Sequence, residues 1–332
     1  MSLLVVESLV VDLPVERGLR RVIHNVDLEL AAGEAVGLVG ESGAGKSITS
    51  RAVIRLLPEG AALHGALRFG ERSVLAMGRD ELRAYRAGEV AMIFQDPRAH
   101  INPVRTIGDF LTEALLERGA TRAAAFEAAG DLLATVGITE IARRLRQYPH
   151  ELSGGLLQRV MIAGALSVQP RLLLADEPTT ALDVTTQSEV MAHLDTQRRE
   201  RGLAMLFVTH DLELAAAVCD RIAVMYAGCL VEDSPAARIH DAPLHPYTAA
   251  LLASRPSATT RSRRLAAIPG RPLSAHEAGP GCVFASRCPF VEERCLRERP
   301  ALSALEDGRV ACHRAGELHA RLSEIATTPI AS

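Results

Sequence analysis

VGLVGESGAGKS, Val36 to Ser47, decides how the rest of this chain is read. Its first four residues are an apolar run that suits a buried strand. Gly40-Glu41-Ser42-Gly43-Ala44-Gly45-Lys46-Ser47 then fits the phosphate-loop pattern G-x-x-x-x-G-K-S/T at every fixed position. Glycines at 40, 43 and 45 let the backbone curl so that successive N–H groups face phosphate oxygens, at the positive end of the helix that continues through Ile48. Lys46 would neutralise the β- and γ-phosphates, and the Ser47 hydroxyl would ligate Mg²⁺. Of the 37 Lys and Arg residues, Lys46 is the only lysine. A chain that writes arginine everywhere else keeps an ammonium here, where a compact point charge fits and a planar fork does not.

The composition bounds the rest. A length of 332 residues is enough for one large or two modest domains. With 48% hydrophobic and 23% charged residues, the chain reads as an ordinary globular protein. A net charge of −3 with few aromatics argues against a protein that tracks nucleic-acid phosphates. Acids and arginines interrupt every apolar stretch before the roughly 18 residues of a membrane span, so a membrane role has to come through a partner. The start, MSLLVVESLVVDLPVE, has no basic region ahead of its apolar run and does not read as a secretory signal. A cytoplasmic setting follows, in which six cysteines are metal ligands or free thiols before they are disulfides.

In chain order, residues 3–13 and 22–30 read as two strands ahead of the phosphate-loop strand. A helix over 48–57 stops at Pro58, residues 63–69 form a strand, and VAMIF (90–94) is a buried strand ending at Gln95-Asp96-Pro97. The Ala- and Leu-rich helical spacing from Ile107 to about Leu145 predicts an inserted helical subdomain. Ser153 is a natural N-cap for a helix over 156–168. The strand 171–177 ends in Asp176-Glu177 and the strand 204–209 ends in His210-Asp211, so both deliver polar groups to the carboxyl edge of a parallel sheet. Alternating strands and helices argue for an α/β core. Beyond Val231 the texture turns to Pro, Ala, Arg and Ser, with no strand as clear as those before it. A boundary near residue 235 is expected.

These residues together resemble the ATP-binding subunits of ABC transporters. Leu152-Ser153-Gly154-Gly155-x-x-Gln158, followed closely by the Asp176-Glu177 strand end, is the specific part of the match. Gln95-Asp96-Pro97 with Asn102-Pro103, Tyr148 to Leu152, ADEPTTALDV (175–184) and His245-Pro246-Tyr247-Thr248 resemble the peptide and nickel importers within that family. The resemblance implies an α/β P-loop NTPase of ABC type, with an N-terminal antiparallel β-subdomain and a helical subdomain at about 96–165. It places the nucleotide-binding domain at 1–235 and a C-terminal cysteine-containing extension at 236–332.

It also implies roles. Gly40 to Ile48 would bind ATP, and Ser47, Gln95 and Asp176 would hold Mg²⁺. Glu177 would be the general base on the attacking water, His210 would contact the γ-phosphate, and Gln95 would sense the nucleotide. Ser153, Gly154, Gly155 and Gln158 would serve the ATP of an opposite subunit, and Asp183 would link the two active sites. The implied partners are two membrane permeases, a second ATPase of the same or a homologous chain, and a substrate-binding protein, with no nucleic acid. The implied place is the cytoplasmic face of the inner membrane, and the implied work is import of peptides or a related solute such as nickel. An ATPase subunit of a multiprotein enzyme complex of the phosphonate-breakdown type is the alternative. Relatives stack an aromatic on adenine from upstream of the phosphate loop, whereas the first aromatic here is Phe69, which leaves either Arg17, Arg20 or Arg21 to cover the base or a base that is loosely held. Cys282, Cys288, Cys295 and Cys312 are too openly spaced for a zinc knuckle. They match a cysteine cluster that in some peptide-importer ATPases ligates a 4Fe-4S cluster, leaving iron-sulfur, zinc and unligated thiols as readings. Residues 256–332 look too poor in bulky apolar side chains for a core of their own, and Cys219 and Cys229 look like small core residues.

Overall fold

Apolar alternation in the first thirty residues becomes two long strands, β1 (Ser2–Val15) and β2 (Gly18–Ala31), in a computed structural model that describes residues 2–180, 182–254 and 268–327. The further strands are β3 (Ala35–Val39), β4 (Ala62–Phe69), β5 (Arg72–Ser73), β6 (Val90–Ile93), β7 (Leu172–Asp176), β8 (Ala204–Thr209), β9 (Arg221–Tyr226), β10 (Cys229–Pro235), β11 (Ser303–Leu305) and β12 (Gly308–Val310). The helices of the first half are α1 (Lys46–Val53), α2 (Arg79–Gly88), α3 (Pro97–His100), α4 (Ile107–Glu117), α5 (Arg122–Thr135), α6 (Ile141–Arg144) and α7 (Gly154–Ser167). Those of the second half are α8 (Val184–Arg201), α9 (Leu212–Val218), α10 (Ala236–Ile239), α11 (Pro246–Ala253), α12 (Glu293–Arg297) and α13 (Ala315–Thr327).

Contacts divide the chain into two units. One comprises Met1–Leu3, Leu30–Glu34 and Ala76–Val208. Its β6, β7 and β8 run parallel, with Val90 opposite Leu172 and Leu172 opposite Ala204. Every residue of β7 and β8 is buried, as the unbroken Leu, Val and Phe runs of strands covered on both faces require. Helices α4, α5 and α7 pack on one another in the same unit. Thr106 and Asp109 fix the start of α4 by capping each other's backbone N–H groups.

The other unit comprises Leu4–Glu29, Ala35–Leu75 and Thr209–Ser332. It holds an antiparallel sheet in the order β2-β1-β4-β5 and a second stretch of sheet in the order β11-β12-β10-β9-β3. Strand β3 is buried throughout and runs parallel to β9, which places the phosphate loop at its carboxyl end.

One expectation needs correction. The helix after the phosphate loop ends at Val53, not Leu57, because Arg55 takes a left-handed φ of 51° and the Leu56 N–H turns back to the Arg51 carbonyl. The C-terminal segment, as expected, builds no core from its own residues alone. β12 pairs with β10, Leu244, Val310 and Ala315 form one buried cluster, and Ala249, Leu318 and Leu322 form another under Phe290 and Ile325. The segment thus borrows a sheet edge and the helix α11 where its own apolar residues are few. Its residues 255–267 and 328–332 lie outside the described residues. Cys219 and Cys229 are buried, as expected.

Candidate active site

Strand β3 runs straight into Gly40, whose backbone lies so close to β9 that an added Cβ would stand 2.1 Å from the Met225 carbonyl oxygen. Gly45, at φ 103°, is the left-handed N-cap of α1, a conformation that side-chain-bearing residues seldom adopt. Between them Ser42 and Gly43 form the exposed tip, and the Ala44 N–H closes the turn on the Glu41 carbonyl at 3.2 Å. Lys46 is 6% exposed, and its Nζ donates to the carbonyls of Gly40 at 2.7 Å and Glu41 at 3.1 Å. Ser47 and Ile48 lie in the first turn of α1, where the N–H groups are not consumed by the helix. His210 is exposed, directly after β8 and before Asp211, which caps α9 by accepting from the Glu213 and Leu214 N–H groups.

Sequence reasoning missed what lies behind this loop. The Glu41 N–H donates to the Tyr247 hydroxyl at 2.9 Å, and Arg287 donates to both Glu41 carboxylate oxygens, at 2.7 and 3.3 Å. Burial pushes the Tyr247 phenol far above its ordinary range, so it stays neutral. Its helix α11 is capped by His245, whose Nδ1 accepts from the Tyr247 N–H at 3.0 Å. Burial depresses the His245 imidazole to about 3, which keeps that nitrogen an acceptor. The motif His245-Pro246-Tyr247-Thr248 pointed to the right helix. Nothing in the spacing could have found Arg287, 246 residues from Glu41.

In the other unit, Asp176 ends β7 fully buried and Glu177 follows with a left-handed φ of 48°. That conformation is costly for a residue with a side chain and is tolerated where geometry matters more than local energy. Its carboxylate accepts from Gln95 Nε2 at 3.0 Å and Thr180 Oγ1 at 3.1 Å, so the structure brings the predicted base and the predicted sensor together. Ser153 caps α7 by accepting from the Leu156 N–H at 3.3 Å, with Gly154 and Gly155 in the first turn. Gln158 is 1% exposed and turns inward, its amide donating to the Phe94 carbonyl at 3.4 Å. It therefore ties α7 to the segment that carries Gln95. Asp183 caps α8 through the Thr186 N–H and hydroxyl, and these bonds hold its carboxyl below the usual range. Arg159 of α7 reaches the same Thr186 hydroxyl at 3.0 Å.

Of the three arginines considered for the base, Arg21 is engaged with Asp12 at 3.0 Å, while Arg17 and Arg20 are exposed on the β1–β2 turn and the start of β2. The four C-terminal cysteines line one small cavity with Phe284, Phe290 and Leu318. Burial pushes the Cys288 and Cys312 thiols up to about 11. Among the described residues no three side chains stand as a ready-made metal-ligand set. The four thiols share the lining of this cavity without forming such a set. The buried Asp176 carboxylate is an oxygen donor of the kind Mg²⁺ takes.

The loop after β3 and the acid pair after β7 define a P-loop nucleotide-hydrolysing fold. Comparison with known proteins makes this specific. Residues 23–180 match the ABC transporter family and residues 231–295 match the oligopeptide/dipeptide transporter C-terminal region. A probable peptide ABC transporter ATP-binding protein of Sinorhizobium fredii is 42% identical, across 91% of this chain and 92% of its own length. The dipeptide transport ATP-binding protein DppD of Escherichia coli is 42% identical over 94% of this chain and 97% of its own. Among solved structures, the ATP-binding cassette MJ0796, a dimer in a post-hydrolysis state with ADP and Pi, superposes with a TM-score of 0.65 at 27% identity, covering 70% of this chain and 98% of that one. The chain belongs to the ATP-binding subunits of ABC transporters, in the peptide-importer family. ABC ATPases of this family drive transport by hydrolysing ATP, and these relatives favour the transport reading over the enzyme-complex alternative. No helix among the described residues is long and apolar enough to cross a membrane.

Proposed function

We propose that this chain hydrolyses ATP to power the import of di- or oligopeptides, or a related small solute, through two partner permeases fed by a substrate-binding protein. The observation that carries the catalytic part is Glu177, strained at φ 48° immediately after a buried strand and held by neutral donors from Gln95 and Thr180. A carboxylate in neutral company can take a proton from water, which is the general base's task. Gly40 to Ile48 hold the phosphates, and Lys46 exchanges its loop carbonyls for phosphate oxygens. Ser47, Gln95 and Asp176 would hold Mg²⁺, and the bound ion would supply neutralisation of phosphate charge. His210 contacts the γ-phosphate. Ser153, Gly154 and Gly155 present a helix N-terminus to the nucleotide of a second ATPase, the same or a homologous chain, with Gln158 bracing that helix from within and Asp183 linking the pair.

The nucleotide-binding part spans 1–235 and the extension 236–332, and the chain sits peripherally on the cytoplasmic face of the inner membrane. Cys282, Cys288, Cys295 and Cys312 would be the ligands of a 4Fe-4S cluster, whose role would be structural, since an ATP cycle requires no electron. Protein purified without oxygen should carry iron and acid-labile sulfide in equal amounts and lose both in Cys295→Ser. Colourless protein with one zinc would replace the cluster with a zinc site. The transport reading is tested by reconstituting the chain with its permeases in vesicles. Peptide accumulation that requires ATP supports it, and peptide-independent ATPase activity without accumulation opposes it.

A further inference from the structure

A glutamate on a phosphate loop is a liability. Glu41 stands next to Gly40, in a loop whose function is to gather N–H groups and one ammonium around a polyanion, and a free carboxylate there would repel the ligand. Arg287 counters it. Its side chain is 3% exposed and forks onto both Glu41 oxygens. Every other donor of the fork is also placed: Nε on the Pro269 carbonyl at 3.0 Å, Nη2 on the Ile268 carbonyl at 3.3 Å, and Nη1 on the Tyr226 hydroxyl at 3.3 Å. The guanidinium also lies 5.8 and 5.9 Å from the ring centres of Tyr226 and Phe284. Tyr247 fixes the backbone of the same residue through its N–H.

The carrier of Arg287 is as telling as its contacts. It sits in the tight turn Ala285–Arg287, between Cys282 and Cys288, and is followed at once by Cys288. Phe284 packs against the guanidinium and also lines the cysteine cavity. The Cys282 N–H is anchored to the Cys295 carbonyl at 2.7 Å. One short turn therefore has the cysteine cavity on one side and the phosphate loop on the other.

We propose that the Cys282–Cys288 turn is a positioning arm for the phosphate loop, acting through Arg287 on Glu41, so that nucleotide affinity depends on the state of the cysteine cavity. This rests on the nucleotide site proposed above. Arg287 touches no nucleotide in this account. It neutralises and orients the loop carboxylate so that the loop can accept phosphate.

The test is equilibrium binding of a non-hydrolysable ATP analogue with Mg²⁺ to the full-length chain, with thermal melting run in parallel. Arg287→Met should weaken binding about tenfold, and Arg287→Lys, which keeps the charge but not the fork, should fall between that variant and wild type. The double variant Glu41→Gln with Arg287→Met should recover most of the loss, because the charge and its neutraliser leave together. Cys288→Ser should weaken binding in the wild-type background and leave Arg287→Met unchanged. Binding of Arg287→Met within twofold of wild type, a double variant no better than Arg287→Met, or a Cys288→Ser effect equal in both backgrounds would each overturn the proposal. A merely structural Arg287 would lower the melting temperature without these patterns. If wild-type protein binds no nucleotide, the ATPase reading itself falls with it.

Discussion

Two loops of this molecule follow fully buried five-residue strands, and each presents a glutamate. The loop after β3 gives Glu41, and the loop after β7 gives Glu177. Glu41 is gripped by a buried guanidinium and its N–H by a buried phenol. Glu177 accepts hydrogen bonds from an amide and a hydroxyl, on a backbone in the left-handed region. The contrast follows from what each carboxylate has to do. A carboxylate whose task is to hold the loop is served by a fixed cation, whereas the base proposed for the attacking water is better held by donors that bring no fixed charge.

The first loop offers the larger effect. Lys46→Arg keeps the charge but not the shape. Its fork cannot follow the ammonium onto both the Gly40 and Glu41 carbonyls or onto the phosphates that replace them. ATP affinity measured by equilibrium binding should fall by about a hundredfold. Affinity within twofold of wild type would remove the distinction drawn between this lysine and the arginines elsewhere.

A smaller effect tests the pins behind Glu41. Unfolded His245 takes a proton near pH 6.5, and the folded protein refuses it until about pH 3, so stability present above pH 6.5 is lost as pH falls through that window. Between pH 7 and pH 5 the loss from this group is up to about 2 kcal/mol. His245→Asn keeps an acceptor for the Tyr247 N–H and cannot protonate. Its melting temperature should therefore fall less than that of wild type over the same interval. Equal falls would mean that His245 is not the group refusing the proton.

How much of this could be read beforehand depends on the range over which the information acts. The phosphate loop, the Asp176-Glu177 strand end and the Ser153 cap are local, with residue types and spacings that only a few conformations satisfy. Buried parallel strands such as LLLAD declare themselves because both faces are covered. β11 and β12 do not, since three residues each carry no periodicity and their place is set by pairing with β10. Helix α1 ends where Arg55 turns left-handed, with no Gly or Pro at that point to announce it. The Arg287–Glu41 pair is wholly tertiary. Gln158 was legible as part of the signature, whereas its inward orientation comes from packing against the segment that ends β6.

The contrast between the two glutamates is tested most directly by steady-state phosphate release from Glu177→Gln and Glu41→Gln in the same assembled transporter. Glu177→Gln should lower kcat by about 10² to 10⁴ while ATP binding persists, since it removes the proton acceptor and leaves the phosphate loop intact. Glu41→Gln should leave kcat within about threefold of wild type and change KM alone. Undiminished kcat in Glu177→Gln, or a comparable collapse of kcat in both variants, would contradict the account.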